Sequence, residues 1–161
     1  MHAFADPTTQ RIAAFLQEIG IEVVPAVLEG QTFLPGIAID GGRLRVDEAR
    51  LSFPGDLLHE AGHLAIRPAA ERAGELEADL GEEMAAIAWS YAALRHLELE
   101  PEVVFHAEGY RGAALGFIDN FAAGRYVAVP LLQWMGMCVE AKHAAEAGVE
   151  PYPRMVRWLR E

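Results

Sequence analysis

Asp56-Leu57-Leu58-His59-Glu60-Ala61-Gly62-His63-Leu64-Ala65 is the stretch on which the reading of this chain turns. Phe53-Pro54-Gly55 interrupts what precedes it, and Asp56 is a side chain suited to an N-cap. Arg67-Pro68 stops the helix at about Ile66, because a residue before proline is steered out of the helical region. On such a helix residues i and i+4 share a face. His59 and His63 therefore stand one turn apart, where two imidazoles can reach one Zn²⁺ at about 2.0–2.1 Å. Glu60 points beside that position, where a carboxylate can accept a proton from water. Leu57, Leu58, Leu64 and Ala65 supply an apolar surface to hold the helix against the body, and Gly62 leaves room near the metal.

Outward from this helix the pattern changes on both sides. Thr8 or Thr9 can cap a first helix carrying Ile12, Phe15, Leu16 and Ile19 at helical spacing, with Gly20 as its stop. Val23-Val24, Val27-Leu28, Ile37-Ala38-Ile39 and Leu44-Arg45-Val46 read as short strands, and Asp40-Gly41-Gly42 is a hairpin signal. A small antiparallel sheet is expected. Beyond Arg67-Pro68 the composition predicts a long Ala-, Glu- and Leu-rich helix from about Ala69 to Glu98, and Pro101 can open another helical piece. Further helices are expected near 110–122, 129–137, 139–147 and 153–160. No repeat or linker divides the chain. The reading is one α+β domain over 1–161, with a metal-site core at about 36–98 and a helical part over 99–161.

Composition limits what such a domain can do. Thirteen Lys+Arg against 24 Asp+Glu give 161 residues a formal charge of −11, which repels a phosphate backbone and an anionic membrane surface alike. No nucleic-acid or membrane partner is expected. The single cysteine, Cys138, excludes an internal disulfide, the start lacks the features of a secretion signal, and no apolar run approaches the roughly 20 residues that span a bilayer. A cytoplasmic location is the expectation.

A catalytic zinc site takes three protein ligands and a water, so two histidines leave one place to fill. Glu75, Glu77, Asp79, Glu82 and Glu83 follow on the next predicted helix. If the two helices run antiparallel about a tight turn at Arg67-Pro68, Glu75 stands as far after the turn as the histidines stand before it. Glu82 and Glu83 are carried roughly 10 Å further along. The same acidic series also reads as a solvated helix face.

HExxH followed by Glu75-Leu76-Glu77-Ala78-Asp79 resembles the HExxH and ExxxD elements of gluzincin metallopeptidases, including the IrrE/ImmA-type regulators. The short sheet and hairpin ahead of the HExxH helix are similar to that group as well. The resemblance covers about residues 36–90 and implies a zincin-like fold, in which an HExxH helix packs on a Glu-bearing helix. It implies His59, His63 and Glu75 as zinc ligands, Glu60 as general base, and Asp79 as the group that orients a ligand histidine. Eleven residues between His63 and Glu75 make a short connection, and no appended helix-turn-helix or sensor domain is present in the sequence. Glu82 or Glu83 stays open as the third ligand, because eighteen residues between His63 and Glu82 match a second gluzincin spacing.

The chemistry that follows is zinc-dependent hydrolysis of a peptide or amide bond, with Glu60 passing a proton from water to the leaving amine. His106, Tyr110 and Arg111, just beyond the metal helices, are candidates to stabilise the oxyanion. The partner is then a peptide or protein substrate. The alternative is a zinc-binding regulatory or structural protein that acts through a protein partner without general peptidase activity. Trp89, Tyr91, Phe117, Phe121, Leu131, Leu132 and Trp134 read as core, and Cys138 as a buried thiol. His96 and His143 need no metal. Arg154, Arg157 and Arg160 share one face of the predicted C-terminal helix, which packs on its own domain or offers a basic docking surface to a protein partner.

Overall fold

In the computed structural model, which describes residues 3–74, 78–106, 108 and 113–161, Asp6 rather than Thr8 or Thr9 starts the first helix. Its carboxylate accepts from Thr9 N at 2.8 Å, and Pro7 fills the first position of α1 (Pro7–Ile19), where a missing N–H costs nothing. Gly20 closes the helix with φ 106°. Ile12, Ala13, Phe15 and Leu16 form its buried face.

Three short strands follow: β1 (Val23–Pro25), β2 (Ile37–Asp40) and β3 (Arg43–Val46), in the order β1-β3-β2. Gly41 and Gly42 both take positive φ, 60° and 81°, which is the two-residue hairpin turn that matches strand twist. Thus β2 and β3 pair antiparallel from Ile37↔Val46 to Asp40↔Arg43. β1, however, runs parallel to β3, with Val23 opposite Leu44 and Pro25 opposite Val46. The sheet is therefore mixed, not antiparallel. The cause lies in residues 26–36, which cross to the far side of β3 before β2 begins. Val27-Leu28 belongs to this crossing arch and not to a strand. Its backbone is satisfied by side chains instead of a ladder: Leu28 N donates to Asp47 Oδ2 at 3.1 Å, and Arg50 donates to Leu28 O and Gly30 O at 2.6 Å each.

The central helix pair is α2 (Asp56–Ala65) and α3 (Leu80–His96). Every residue of α2 is buried, and so is every residue of α3 from Ala85 to Leu94, as expected of helices inside the body. Gly55, not Asp56, precedes the first turn of α2. A Cβ on Gly55 would lie 1.9 Å from Val103 O, so only glycine lets the 103–104 backbone close over the start of this helix. The long helix predicted from Ala69 does not run through. Ala69–Glu71 is one 3-10 turn, and α3 begins only where Asp79 caps it.

The remaining helices are α4 (Ala114–Ala122), α5 (Val129–Trp134) and α6 (Ala141–Ala147). The predicted helix at 153–160 is absent, and the segment runs as an extended strap. Met155 bridges to Cys138, Trp158 O accepts from Trp89 Nε1 at 2.9 Å, and Arg160 N donates to Ala65 O at 2.9 Å. An extended strap lets Trp158 reach Phe15, Trp89 and His96, which a helix starting at Pro153 would not. Arg154 pairs with Glu150 at 3.4 Å and Arg157 with Glu161. Trp134 departs from the core reading too: it is exposed, with the Arg160 guanidinium 5.1 Å from its ring centre. Trp89, Tyr91, Phe121 and Leu132 are core, and Phe117 and Leu131 pack against it half-buried. Among the described residues no helix is long and apolar enough to cross a membrane.

Candidate metal centre

His59 and His63 leave α2 on the same face, one turn apart, and their Nε2 atoms stand 3.2 Å from each other. Two ligands each about 2.0–2.1 Å from one tetrahedral ion stand about 3.3–3.4 Å apart, which is close to this separation. Opposite them, Glu83 spans both rings: Oε1 lies 2.8 Å from His59 Nε2 and Oε2 3.0 Å from His63 Nε2. Both histidines are buried, while the Glu83 side chain is 35% exposed. The hydrogen bonds of the two imidazoles hold Glu83 well below the usual carboxylate range. The donor set, two imidazoles and a carboxylate converging on one point, fits zinc.

The carboxylate of Glu60 also approaches, with ligand atoms of His59, Glu60 and His63 all within 4.8 Å of one another. It competes with Glu83 for the third place. Glu83 has the closer approach, since its two oxygens each make a direct contact with a ring nitrogen. Glu60 is buried, and burial pushes its pKa up despite the opposing pull of the imidazoles.

Packing explains why Glu83 and not its neighbour faces the histidines. A Cβ on Gly62 would stand 3.0 Å from Ala86 O, so α2 and α3 touch backbone to backbone at this point. Glu83 lies one turn before Ala86 and is carried onto the same contact face. Glu82, four residues before Ala86, flanks the same contact on its other side and turns to Arg67 Nη2 at 3.2 Å. Asp79 orients no histidine: its Oδ1 accepts from Glu82 N at 2.8 Å and starts α3. Glu75 lies outside the described residues, as do Tyr110 and Arg111.

His106 is placed beside α2. Its Nε2 lies 2.7 Å from Asp56 Oδ1, and its ring stacks on Phe53 with centres 3.7 Å apart. Asp56 is one turn before His59, so this pair borders the ligands from the N-terminal end of the helix. Asp56 Oδ2 and His106 Nδ1 are buried without a hydrogen-bond partner. Burial raises the Asp56 pKa against the opposing pull of His106. The sequence carried one signal for Glu83, the small residues Gly62 and Ala86 that mark a close helix crossing. For the Asp56–His106 pair, fifty residues apart, it carried none. Comparison of the chain with protein-family models, with curated proteins and with solved structures finds no match.

Proposed function

We propose that this chain is a zinc-dependent hydrolase of peptide or amide bonds, of the gluzincin type, with His59, His63 and Glu83 holding the metal and Glu60 as general base. One observation carries the reading: Glu83 bridges both imidazole nitrogens while a second carboxylate, Glu60, lies buried beside them. His59, His63 and Glu83 would hold a zinc ion, which when bound would lower the pKa of a water and polarise a carbonyl oxygen. Glu60 accepts the proton of that water and returns it to the leaving amine. Its raised pKa suits both halves of the task, because a carboxylate nearer neutrality gives up a proton as readily as it takes one. Nineteen residues separate His63 from Glu83. With its lone Cys138 buried, we place the protein in a reducing compartment, the cytoplasm.

Metal analysis of the purified protein and of two variants tests this. Wild type and Glu60→Gln are expected to hold close to one zinc per chain, whereas Glu83→Gln loses it at the same free zinc. Hydrolysis of a mixed peptide digest, followed by mass spectrometry, should fall by roughly 10²–10⁴-fold in Glu60→Gln. Wild-type protein without a transition metal overturns the reading. So does a Glu60→Gln protein that hydrolyses as fast as wild type.

A further inference from the structure

The ligands lie between two cavities. One, of about 720 Å³, is bounded by β2, Gly74 and Glu60. The other, of about 740 Å³, is bounded by His59, Glu83, Met84, Ile87 and Phe117. Phe33 borders both, and its side chain is 86% exposed. Leu80, on the rim of the second cavity, is 74% exposed. Phe33 is held in place on either side. Arg50 and Asp47 fix the arch before it, Thr32 Oγ1 donates to Leu34 O at 2.5 Å around it, and Leu34 bridges to Ile37 after it. Phe33 and Leu80 are two large apolar side chains exposed on the rim of the same cavity, and covering them with an apolar group removes that surface from water.

Charge narrows what can cover it. Asp40 and Glu60 border the first cavity, and Asp56, Asp79, Glu83 and Glu108 the second. Neither cavity has a Lys or Arg among its described lining residues. An acidic occupant is repelled on both sides. Because Glu60 opens to one cavity and His59 and Glu83 to the other, a chain cut at this point extends in both directions.

We propose that Phe33 is the specificity-determining residue of the site, taking the large apolar side chain of an extended, non-acidic peptide segment that occupies both cavities. The proposal rests on the hydrolase reading above. Its test is binding of three blocked dipeptide hydroxamates, carrying Gly, Leu or Asp beside the chelating group, to the zinc-loaded full chain by calorimetry. In wild type the Leu probe is expected to bind at least tenfold tighter than the Gly probe, and the Asp probe weaker than either. Phe33→Ala should bring Leu and Gly within twofold of each other with zinc content unchanged, and Phe33→Leu should keep most of the difference. Equal binding of Leu and Gly to wild type, or a preference untouched in Phe33→Ala, overturns the role of Phe33 and leaves the hydrolase reading standing. A chain that takes up no zinc, or binds none of the three probes, overturns that reading and this proposal together.

Discussion

Glu60 and Glu83 are two carboxylates beside the same pair of imidazoles, yet their surroundings drive their acidities apart. Glu83 is half-open to solvent and receives two hydrogen bonds, so its charged form is favoured; Glu60 is closed in, so burial outweighs the same imidazoles and favours its neutral form. One is thereby suited to hold a cation and the other to exchange a proton. Burial acts on Cys138 without any such role. It pushes the thiol up to about 12, with the negative charge of Glu140 adding to the effect. An unfolded cysteine ionises near about 8.5, so at that pH the native chain carries about a thousandfold less thiolate. We expect iodoacetamide at pH 8.5 to modify the native protein slower than the urea-unfolded protein by that order. The linkage has a definite sign: the folded state favours the protonated thiol, so its contribution to stability is complete below about pH 8.5 and is lost as pH rises toward 12. Urea unfolding from pH 8.5 to 11 should therefore lose stability faster in wild type than in Cys138→Ala. Rapid native alkylation would show that the thiol is not sealed.

α2 and α3 meet at Gly62 and Ala86, and the position of Glu83 depends on that approach. A methyl at position 62 would lie 3.0 Å from Ala86 O and 3.2 Å from Ala86 Cα, so α3 must retreat by a few tenths of an ångström. Alanine also favours helix over glycine by about 1 kcal/mol, which offsets the strain. Gly62→Ala is thus expected to leave thermal stability nearly unchanged while weakening zinc about 10–100-fold, the usual penalty for a displaced supporting group. Zinc titration with a competing chelator measures it; unchanged affinity would mean that Glu83 is not positioned by this contact. Gly55→Ala, whose methyl would collide with Val103 O at 1.9 Å, should instead lose several kcal/mol of stability. The two ends of α2 were legible because Pro54-Gly55 and Pro68 break the helix for local steric reasons. The start of α3 was not. Residues 69–79 are helix-forming by composition, and only the cap made by Asp79 shows that the helix begins eleven residues later. An antiparallel turn measured from Arg67-Pro68 pointed to Glu75, which lies outside the described residues; the first turn of α3 brings Glu83 to the histidines. The hairpin was legible from Gly41-Gly42, but the parallel pairing of β1 was not, since no local pattern encodes which neighbour a strand will meet.

Across the whole molecule, the last residues of the chain return to the metal helix. Arg160 donates to Ala65 O and Ile66 O, and Arg72 donates to Leu64 O, Arg67 O and Arg160 O. Two cations thus sit where α2 ends, satisfying carbonyls that no further helical turn would reach. Trp158 fastens the strap by edge contacts to Phe15, Trp89 and His96, joining α1 to α3 behind the site. An acidic chain of net charge −11 therefore spends part of its few arginines on closing its own fold. Removing the anchor isolates what the strap contributes. Trp158→Ala should cost about 3 kcal/mol, the lower end for a truncated tryptophan because this ring is only half-buried. For a chain of this length that is a fall in Tm of about 6–12 °C. Under the proposed reading, zinc should raise the Tm of wild type by binding the folded form alone, and the same gain should persist in Trp158→Ala because neither α2 nor α3 loses a proposed ligand. Scanning calorimetry with and without zinc reads both terms. A Tm within 2 °C of wild type would show that the strap closes nothing, and a lost zinc gain would show that the strap, and not the Gly62–Ala86 contact, sets the distance between the two helices.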